Sequence, residues 1–92
     1  MRKAASESGE DRSYLIDSVL DAFTVLDILC VDFQPMSINE IKDEAGFTYD
    51  KTYRILKTCA TAGKVEALPD GRFRVGYDLL TLLHHFTRKE DL

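Results

Sequence analysis

Helix start and stop signals follow one another closely between Ser37 and Gly63, and this stretch constrains the fold more than any other. Ser37 and Glu40 match a capping box, in which the Ser side chain accepts a hydrogen bond from the backbone three residues on and the Glu side chain reaches back. Gly46 suits the left-handed conformation that follows a helix end, and Thr48 suits the cap of a new helix. A connection this short, with glycine in it, predicts a helix-turn-helix.

The residues after this pair of helices predict a two-stranded hairpin. Lys64–Leu68 and Arg72–Val75 alternate apolar and polar residues, as strands with one buried face do. A Pro-Asp-Gly turn lies between them. We therefore expect the third helix of the chain, about Tyr49 to Ala62, to be followed by a wing at 64–75. The predicted fold class is mainly α with a small β-hairpin wing, a winged helix-turn-helix.

Long apolar patterns flank this unit on both sides. Apolar residues recur at helical spacing from about Asp11 to Phe33 and from Tyr77 to about Thr87, and Pro35 separates the first of these helices from the next. The apolar arc of each flanking helix is wider than a small core requires. It faces either a second copy of the chain or another helix of the same chain. The candidates for a dimer interface are Leu15, Val19, Leu79, Leu83 and Phe86.

The length and the ends of the chain restrict the class of protein. With 92 residues, the chain can form one domain with a modest core, but it is short for a large catalytic cleft. We expect a flexible arm at 1–12, the winged helix-turn-helix domain at 13–88 and a frayed tail at 89–92. No apolar run is long enough to cross a membrane or to form a signal peptide, so the cytoplasm is the expected location.

The sequence contains no pattern typical of an enzyme or a metalloprotein. Cys30 and Cys59 are far apart and have no companions at metal-ligand spacing, so we expect free thiols in a reducing compartment. His84 and His85 are neighbours on a predicted helix and point about 100° apart, which makes joint chelation of one ion difficult. No glycine-framed nucleophile is present. We expect no catalytic residue, no metal site and no cofactor.

The distribution of charge is more informative than its total. The formal net charge is -4, which opposes nucleic-acid binding if it is considered globally. Residues 48–75, however, carry six basic side chains against three acidic ones, a local excess of +3. A phosphate backbone is bound by a local patch of positive charge rather than by the total. The third helix and the wing are therefore the candidate DNA-binding surface.

The positions of these residues on the predicted elements suggest separate roles at a DNA surface. Residues near the N-terminus of a recognition helix reach base edges in the major groove. The base-facing candidates are therefore Tyr49, Asp50, Lys51, Tyr53 and Arg54. Arg54 is the strongest of them, because a guanidinium can contact guanine at two atoms. The candidates for phosphate contacts, which position a protein without reading sequence, are Thr48, Lys57, Thr58, Lys64, Arg72 and Arg74.

Three segments then occur in a recognisable order. The third helix contains Thr52-Tyr53-Arg54-Ile55-Leu56, a glycine follows it in Ala62-Gly63-Lys64-Val65, and the second predicted strand ends in Phe73-Arg74-Val75-Gly76. This set resembles the N-terminal winged helix-turn-helix domain of IclR-type transcriptional regulators, whose recognition helix carries T-x-x-R-L-L and whose wing ends in Y-R-L-G. With Val25–Leu29 in the family's leucine-rich position, the resemblance spans roughly residues 14–83. Lys51 departs from it, since the family usually has a small polar residue there.

The resemblance implies a bacterial or archaeal regulator that binds operator DNA. The family normally continues into an effector-binding domain, whereas this chain stops, so it is either an excised domain or a small stand-alone relative. We accordingly expect no small-molecule effector on this chain.

Two hypotheses of function follow from the sequence. The first is a transcriptional regulator that binds double-stranded DNA sequence-specifically as a homodimer, with the third helix in the major groove and the wing on the backbone. The second is a winged-helix module for protein–protein interaction without DNA binding. The acidic total favours the second, and the basic third helix and wing favour the first.

Overall fold

The computed structural model describes residues 13–90, except for the side chains of Leu83 and of residues 85–90. The predicted arm at 1–12 and the end of the predicted tail, 91–92, lie outside the described residues. Four helices and two strands occur in the described part of the chain. In order they are α1 (Asp17–Cys30), α2 (Ile38–Ala45), α3 (Tyr49–Thr61), β1 (Val65–Ala67), β2 (Phe73–Val75) and α4 (Tyr77–Glu90). This architecture confirms the predicted fold class, mainly α with a β-hairpin wing.

Local capping forms the helix-turn-helix as the sequence predicts. The Ser37 hydroxyl accepts from the Glu40 backbone N–H at 3.1 Å, and the Glu40 carboxylate accepts from the Ser37 N–H at 2.9 Å. Gly46 takes a left-handed φ of 75° after α2, a conformation that is strained for residues with a Cβ. The Thr48 hydroxyl then caps α3 by accepting from the Lys51 N–H at 3.1 Å.

The wing is a short antiparallel hairpin that is anchored at its base. Val65 pairs with Val75, and Ala67 pairs with Phe73. Phe73 also forms an isolated bridge with Met36, through N–H···O hydrogen bonds of 2.8 and 2.9 Å. The strands are three residues long, shorter than the predicted ones, although the Leu68 N–H still donates to the Arg72 carbonyl at 2.8 Å.

A single apolar core joins α1, the helix-turn-helix and the wing. Its fully or nearly fully buried members come from all of these elements: Val25, Leu29, Ile41, Leu56, Cys59, Val65, Phe73 and Val75. Thr52 is also fully buried, and its hydroxyl donates to the Thr48 carbonyl at 2.8 Å. Ile38 and Ala45, which the helical pattern predicts to be buried, are only half-buried.

The boundaries of the flanking helices differ from the predicted ones. The first helix begins at Asp17, since Ile16 is extended (φ -106°, ψ 102°) and offers no side-chain cap. It ends at Cys30, and Phe33 has a left-handed φ of 58°. The apolar residues on either side continued the helical pattern, but periodicity alone does not mark where a helix stops. The last helix extends to Glu90, past the expected Thr87. The division of the chain into arm, domain and tail stays a prediction.

A close backbone contact connects the end of α3 to the start of α4. The Gly76 N–H donates to the Lys64 carbonyl at 2.8 Å, and the Asp78 N–H donates to the Gly63 carbonyl at 3.2 Å. A Cβ on Gly76 would lie 2.8 Å from the Lys64 carbonyl carbon and 2.9 Å from the Val65 nitrogen. Glycine is therefore required at 76 by space.

Candidate nucleic-acid interface

The outward side of α3 is a ridge of polar residues. At about 100° per residue, positions 50, 54, 57 and 61 align opposite the buried Thr52, Leu56 and Cys59. The side chains of Asp50 and Arg54 are 80% and 77% exposed, and their carboxylate and guanidinium lie 3.8 Å apart. Such a separation is too long for a hydrogen bond, so the Arg54 fork can turn to another acceptor at little cost. Arg54 is thus the most available of the predicted base-facing side chains.

Two tyrosines flank this ridge on one side. Tyr49 and Tyr53 are four residues apart, and they are 51% and 44% exposed. The Lys57 ammonium lies 5.9 Å from the Tyr53 ring centroid, near the limit of a cation–π contact. This side of α3 therefore presents two phenol groups and an ammonium, all of which can donate hydrogen bonds to base edges or phosphates.

Lys51 lies on the opposite flank and points toward α1. Its ammonium lies 2.7 Å from the Asp21 carboxylate of α1 and 4.6 Å from the Phe47 ring centroid. The prediction that Lys51 faces the bases did not foresee this pairing, because Asp21 is distant in sequence. The sequence of α3 alone does not identify Asp21 as the partner of Lys51, although the sequence of the first helix shows that Asp21 is one of its acidic residues.

A groove of about 460 Å³ lies between α1 and α3, next to the ridge. Val19, Ala22 and Phe23 line it from α1, and Ile55 and Cys59 line it from α3. Polar side chains complete the lining: Ser18, Asp21, Lys51, Arg54 and Thr58. The two helices therefore leave a gap on this side, although Ala22, Ile55 and Cys59 of its lining pack in or against the core.

Carboxylates of the wing pair with its two arginines. The Arg72 guanidinium donates to Asp70 at 2.9 Å, and the Arg74 guanidinium donates to Glu66 at 2.9 Å. The Arg72 backbone N–H also donates to Asp70, and this bond, followed by the guanidinium bond, holds the pKa of the Asp70 carboxyl below its usual range. In the free protein both predicted phosphate contacts are thus occupied by exposed carboxylates, a weak form of competition.

The other predicted phosphate contacts fall into two groups. The hydroxyls of Thr48 and Thr58 are used within α3, as the cap and as a donor to the Arg54 carbonyl at 2.7 Å. Lys57 and Lys64 form no ion pair with a carboxylate of the described residues, and the Lys64 ammonium donates to the Ala62 carbonyl at 3.3 Å. These two ammonium groups are the least neutralised cations of the α3 and wing surface.

An apolar stripe at the start of α1, beginning with Ile16 just before the helix, was only partly anticipated. Ile16, Val19, Leu20 and Phe23 follow one another at i, i+3, i+4 and i+7, and they are 65%, 46%, 40% and 58% exposed. Of the predicted dimer contacts, Val19 belongs to this stripe and Leu15 is 37% exposed beside it. Leu79 instead packs partly against the core. The side chains of Leu83 and Phe86 lie outside the described residues.

Neither cysteine is an activated nucleophile. Both thiols are free, and burial raises the pKa of Cys59. Burial, followed by the nearby Asp27 carboxylate, raises the pKa of Cys30. A raised pKa keeps a thiol protonated and unreactive at neutral pH. In the described part of the chain no group of three or more metal-ligating side chains occurs, and no helix has the length and apolarity needed to cross a bilayer.

The helix-turn-helix, the hairpin after it and the basic outward face of α3 define a winged helix-turn-helix. Among solved structures, the chain is similar to an IclR homolog complexed with 4-hydroxybenzoate from Microbacterium hydrocarbonoxydans (TM-score 0.66, 23% identity, 71% of this chain and 27% of that one). It is likewise similar to an IclR homolog from Microbacterium sp. strain HM58-2 (TM-score 0.67, 22% identity, 74% of this chain and 29% of that one). It is also similar to an IclR transcriptional regulator from Alicyclobacillus acidocaldarius, with a TM-score of 0.69 and 27% identity over 75% of this chain and 28% of that one.

The particular form of the fold is therefore IclR-like, as the ordered motifs of the sequence predict. This chain spans between a quarter and a third of the length of those structures. Neither a protein-family model nor a curated protein matches it.

Proposed function

We propose that this protein is a transcriptional regulator that binds double-stranded DNA sequence-specifically, with α3 in the major groove and the wing on the phosphate backbone. The observation that carries the proposal is the position of Arg54 at the centre of the outward ridge of α3, in an IclR-like fold. A guanidinium in this position can contact guanine at O6 and N7. Action on chromosomal DNA in the cytoplasm, without an effector bound to this chain, belongs to the same proposal.

Sequence readout and general affinity come from different residues in this proposal. Arg54, Tyr49 and Tyr53 face the bases, while Lys57 and Lys64 contact phosphates on either side. Arg72 and Arg74 are paired with carboxylates of the wing, so they contribute to DNA affinity only when each exchanges its carboxylate partner for a DNA phosphate. We therefore expect a modest salt dependence, since few cations are free to neutralise phosphates.

The dimer is the second part of the proposal. The exposed stripe of Ile16, Val19, Leu20 and Phe23 supports a second copy of the chain as its cover, because DNA sites read by such proteins come in two half-sites. The same stripe also favours a different candidate function, a winged-helix module that docks on another protein through α1 without DNA binding. DNA-binding measurements separate the two.

The test begins with selection of bound fragments from random double-stranded DNA, followed by titration of the selected site at several salt concentrations. Arg54→Ala should lose about 1–3 kcal/mol of discrimination between the selected site and a variant with the contacted guanine replaced. Lys57→Ala should weaken binding to all sequences alike and reduce the salt slope by about 1.

Lys42→Ala is the matched control, because Lys42 lies on α2 and is paired with Asp43 at 2.9 Å. It should leave both the discrimination and the salt slope near wild type. A wild-type protein that enriches no sequence, and that shows no binding at low salt at micromolar concentration, would overturn the proposal in favour of the protein-docking module.

A further inference from the structure

Lys51 occupies the position where this sequence departs from the IclR pattern, and its ammonium is turned away from the outward ridge. We propose that Lys51 and Asp21 form a strut between α3 and α1, which sets the orientation of the recognition helix. Lys51 is then a positioning residue and not a DNA contact, and readout falls to Arg54 with the two tyrosines. This inference rests on the proposed DNA binding and specifies which residues of α3 carry it.

The contacts of the Lys51 ammonium come from two parts of the chain outside α3. The ammonium lies 2.7 Å from the Asp21 carboxylate in α1 and 4.6 Å from the Phe47 ring centroid in the turn before α3. Phe47 in turn packs against the core. Around the helix axis, position 51 lies about 60° from position 54, on the side of α1. A single side chain of α3 thus connects the recognition helix to both the first helix and the turn.

The burial of Asp21 explains why this pair would persist when DNA binds. The Asp21 side chain is only 21% exposed, whereas the carboxylates paired with Arg54, Arg72 and Arg74 are 80%, 53% and 51% exposed. If Lys51 moved to a phosphate, it would exchange one anion for another and leave Asp21 partly buried without a partner. A buried charge without its partner is unfavourable. Exchanging the carboxylate partner for a DNA phosphate therefore raises the free energy for Lys51, whereas it changes the free energy little for Arg54, Arg72 and Arg74.

The groove between α1 and α3 explains why a strut matters there. Asp21 and Lys51 both line this groove of about 460 Å³, so the pair spans a gap that side-chain packing leaves on the outer side of the two helices. The ion pairs of Arg54, Arg72 and Arg74 close within α3 or within the wing, and they cannot orient one element against another. The Lys51–Asp21 pair joins two helices across an open space.

The test uses single substitutions and a charge exchange, measured on the selected DNA site and on random DNA. Asp21→Asn and Lys51→Gln should each reduce the ratio of specific to non-specific affinity by about tenfold, the scale of a lost coupling between neighbouring groups. Lys51→Gln should leave the salt slope unchanged. The double variant Asp21→Lys with Lys51→Asp should recover most of the lost ratio, since the pair is restored with its charges reversed.

The opposite pattern would overturn the strut. If Lys51 contacts DNA, Asp21→Asn should leave binding unchanged or tighter, Lys51→Gln should lower the salt slope by about 1, and the exchanged pair should bind worst of all. Asp43→Asn is the control, because its carboxylate is 75% exposed and pairs with Lys42 within α2. It should leave the ratio within about twofold of wild type.

Two further results keep this test separate from that of the proposed function. All variants are compared below their unfolding midpoints, followed by far-ultraviolet circular dichroism, so that a loss of fold is not scored as a loss of readout. Wild-type protein that binds no DNA removes the proposed function, and the role of the strut in readout with it. Wild-type protein that binds specifically, with no recovery in the exchanged pair, removes the strut alone.

Discussion

Thr52 belongs to the motif of the recognition helix, yet its contacts are structural. The side chain is fully buried, and its hydroxyl donates to the Thr48 carbonyl one turn earlier. The same carbonyl accepts from the Thr52 backbone N–H at 3.0 Å. Of the residues Thr52–Leu56 that carry the resemblance, Thr52 and Leu56 thus serve the core, while the Arg54 side chain is 77% exposed to solvent. A shared motif can therefore report the fold more than the bound sequence.

Gly76 allows a prediction at a single residue. Gly76→Ala should destabilise the domain by about 3 kcal/mol, because the added methyl group would meet the backbone of residues 63–65, which cannot move aside as a side chain can. In thermal unfolding this loss should lower Tm by more than about 10 °C.

Gly71→Ala in the wing turn is the matched control. No atom lies within 4 Å of the added methyl group, so the only cost is the left-handed φ of 89°, about 1–2 kcal/mol. Equal losses of stability in the two variants would contradict the close approach at Gly76.

In the proposed complex with DNA, charge pairing within the wing limits the contact of its arginines with phosphates. Asp70→Asn should free the Arg72 guanidinium and remove one carboxylate, so that DNA binding tightens at low salt and the salt slope steepens by about 0.9. Titration of the selected site at several salt concentrations measures both effects. Arg72→Gln is the informative counterpart, and it should change the slope little because Arg72 is already neutralised.

Acidification offers a second view of the same pair. Because the pKa of Asp70 is lowered in the folded protein, the Asp70 contribution to stability is present above the ordinary carboxyl pKa and is lost only as pH falls through the lowered value. Wild-type protein should therefore not show, at mildly acidic pH, the tighter DNA binding and steeper salt slope that are expected of Asp70→Asn. If these two effects appear in wild-type protein near the ordinary carboxyl pKa, the pairing of Asp70 with Arg72 is contradicted.

In the proposed dimer, the exposed stripe at the start of α1 is the contact surface. Phe23→Ser should weaken a dimer by about thirtyfold or more, since a large apolar side chain at the centre of an interface is typical of a hot spot. Sedimentation velocity at a series of micromolar concentrations measures the change. Val31→Ser is the control, because Val31 is 78% exposed and lies about two turns beyond Phe23, past the end of α1. Wild-type protein that sediments only as a monomer would contradict the dimer.

Local signals in the sequence predicted most of this fold. The capping box at Ser37, the left-handed Gly46 and the turn at 69–71 depend on neighbouring residues alone, and all of them occur where they were expected. The IclR-like arrangement followed from their order. Helix ends that lack caps, as at Ile16, were misplaced because a hydrophobic period does not stop where a helix does.

The candidate surface was predicted in outline but not in its pairings. A helical projection places Arg54 outward, and no further information is needed for that. The partner of Lys51 is an aspartate from a different helix, and the partners of Arg72 and Arg74 depend on turn geometry and strand register. A count of charges treats these cations as equal, whereas their partners make them unequal.

The bridge between Met36 and Phe73 also bears on how the protein behaves in concentrated solution. Because β2 is hydrogen-bonded to β1 on one side, and Phe73 is hydrogen-bonded to Met36 on the other, β2 offers no open edge at Phe73. The remaining edge, β1, has only three residues, and Glu66 carries a charge in the middle of it. Short, charged edges are poor templates for the strand addition that leads to aggregation. The wing can thus remain exposed to solvent without inviting the self-association to which bare hairpins are prone.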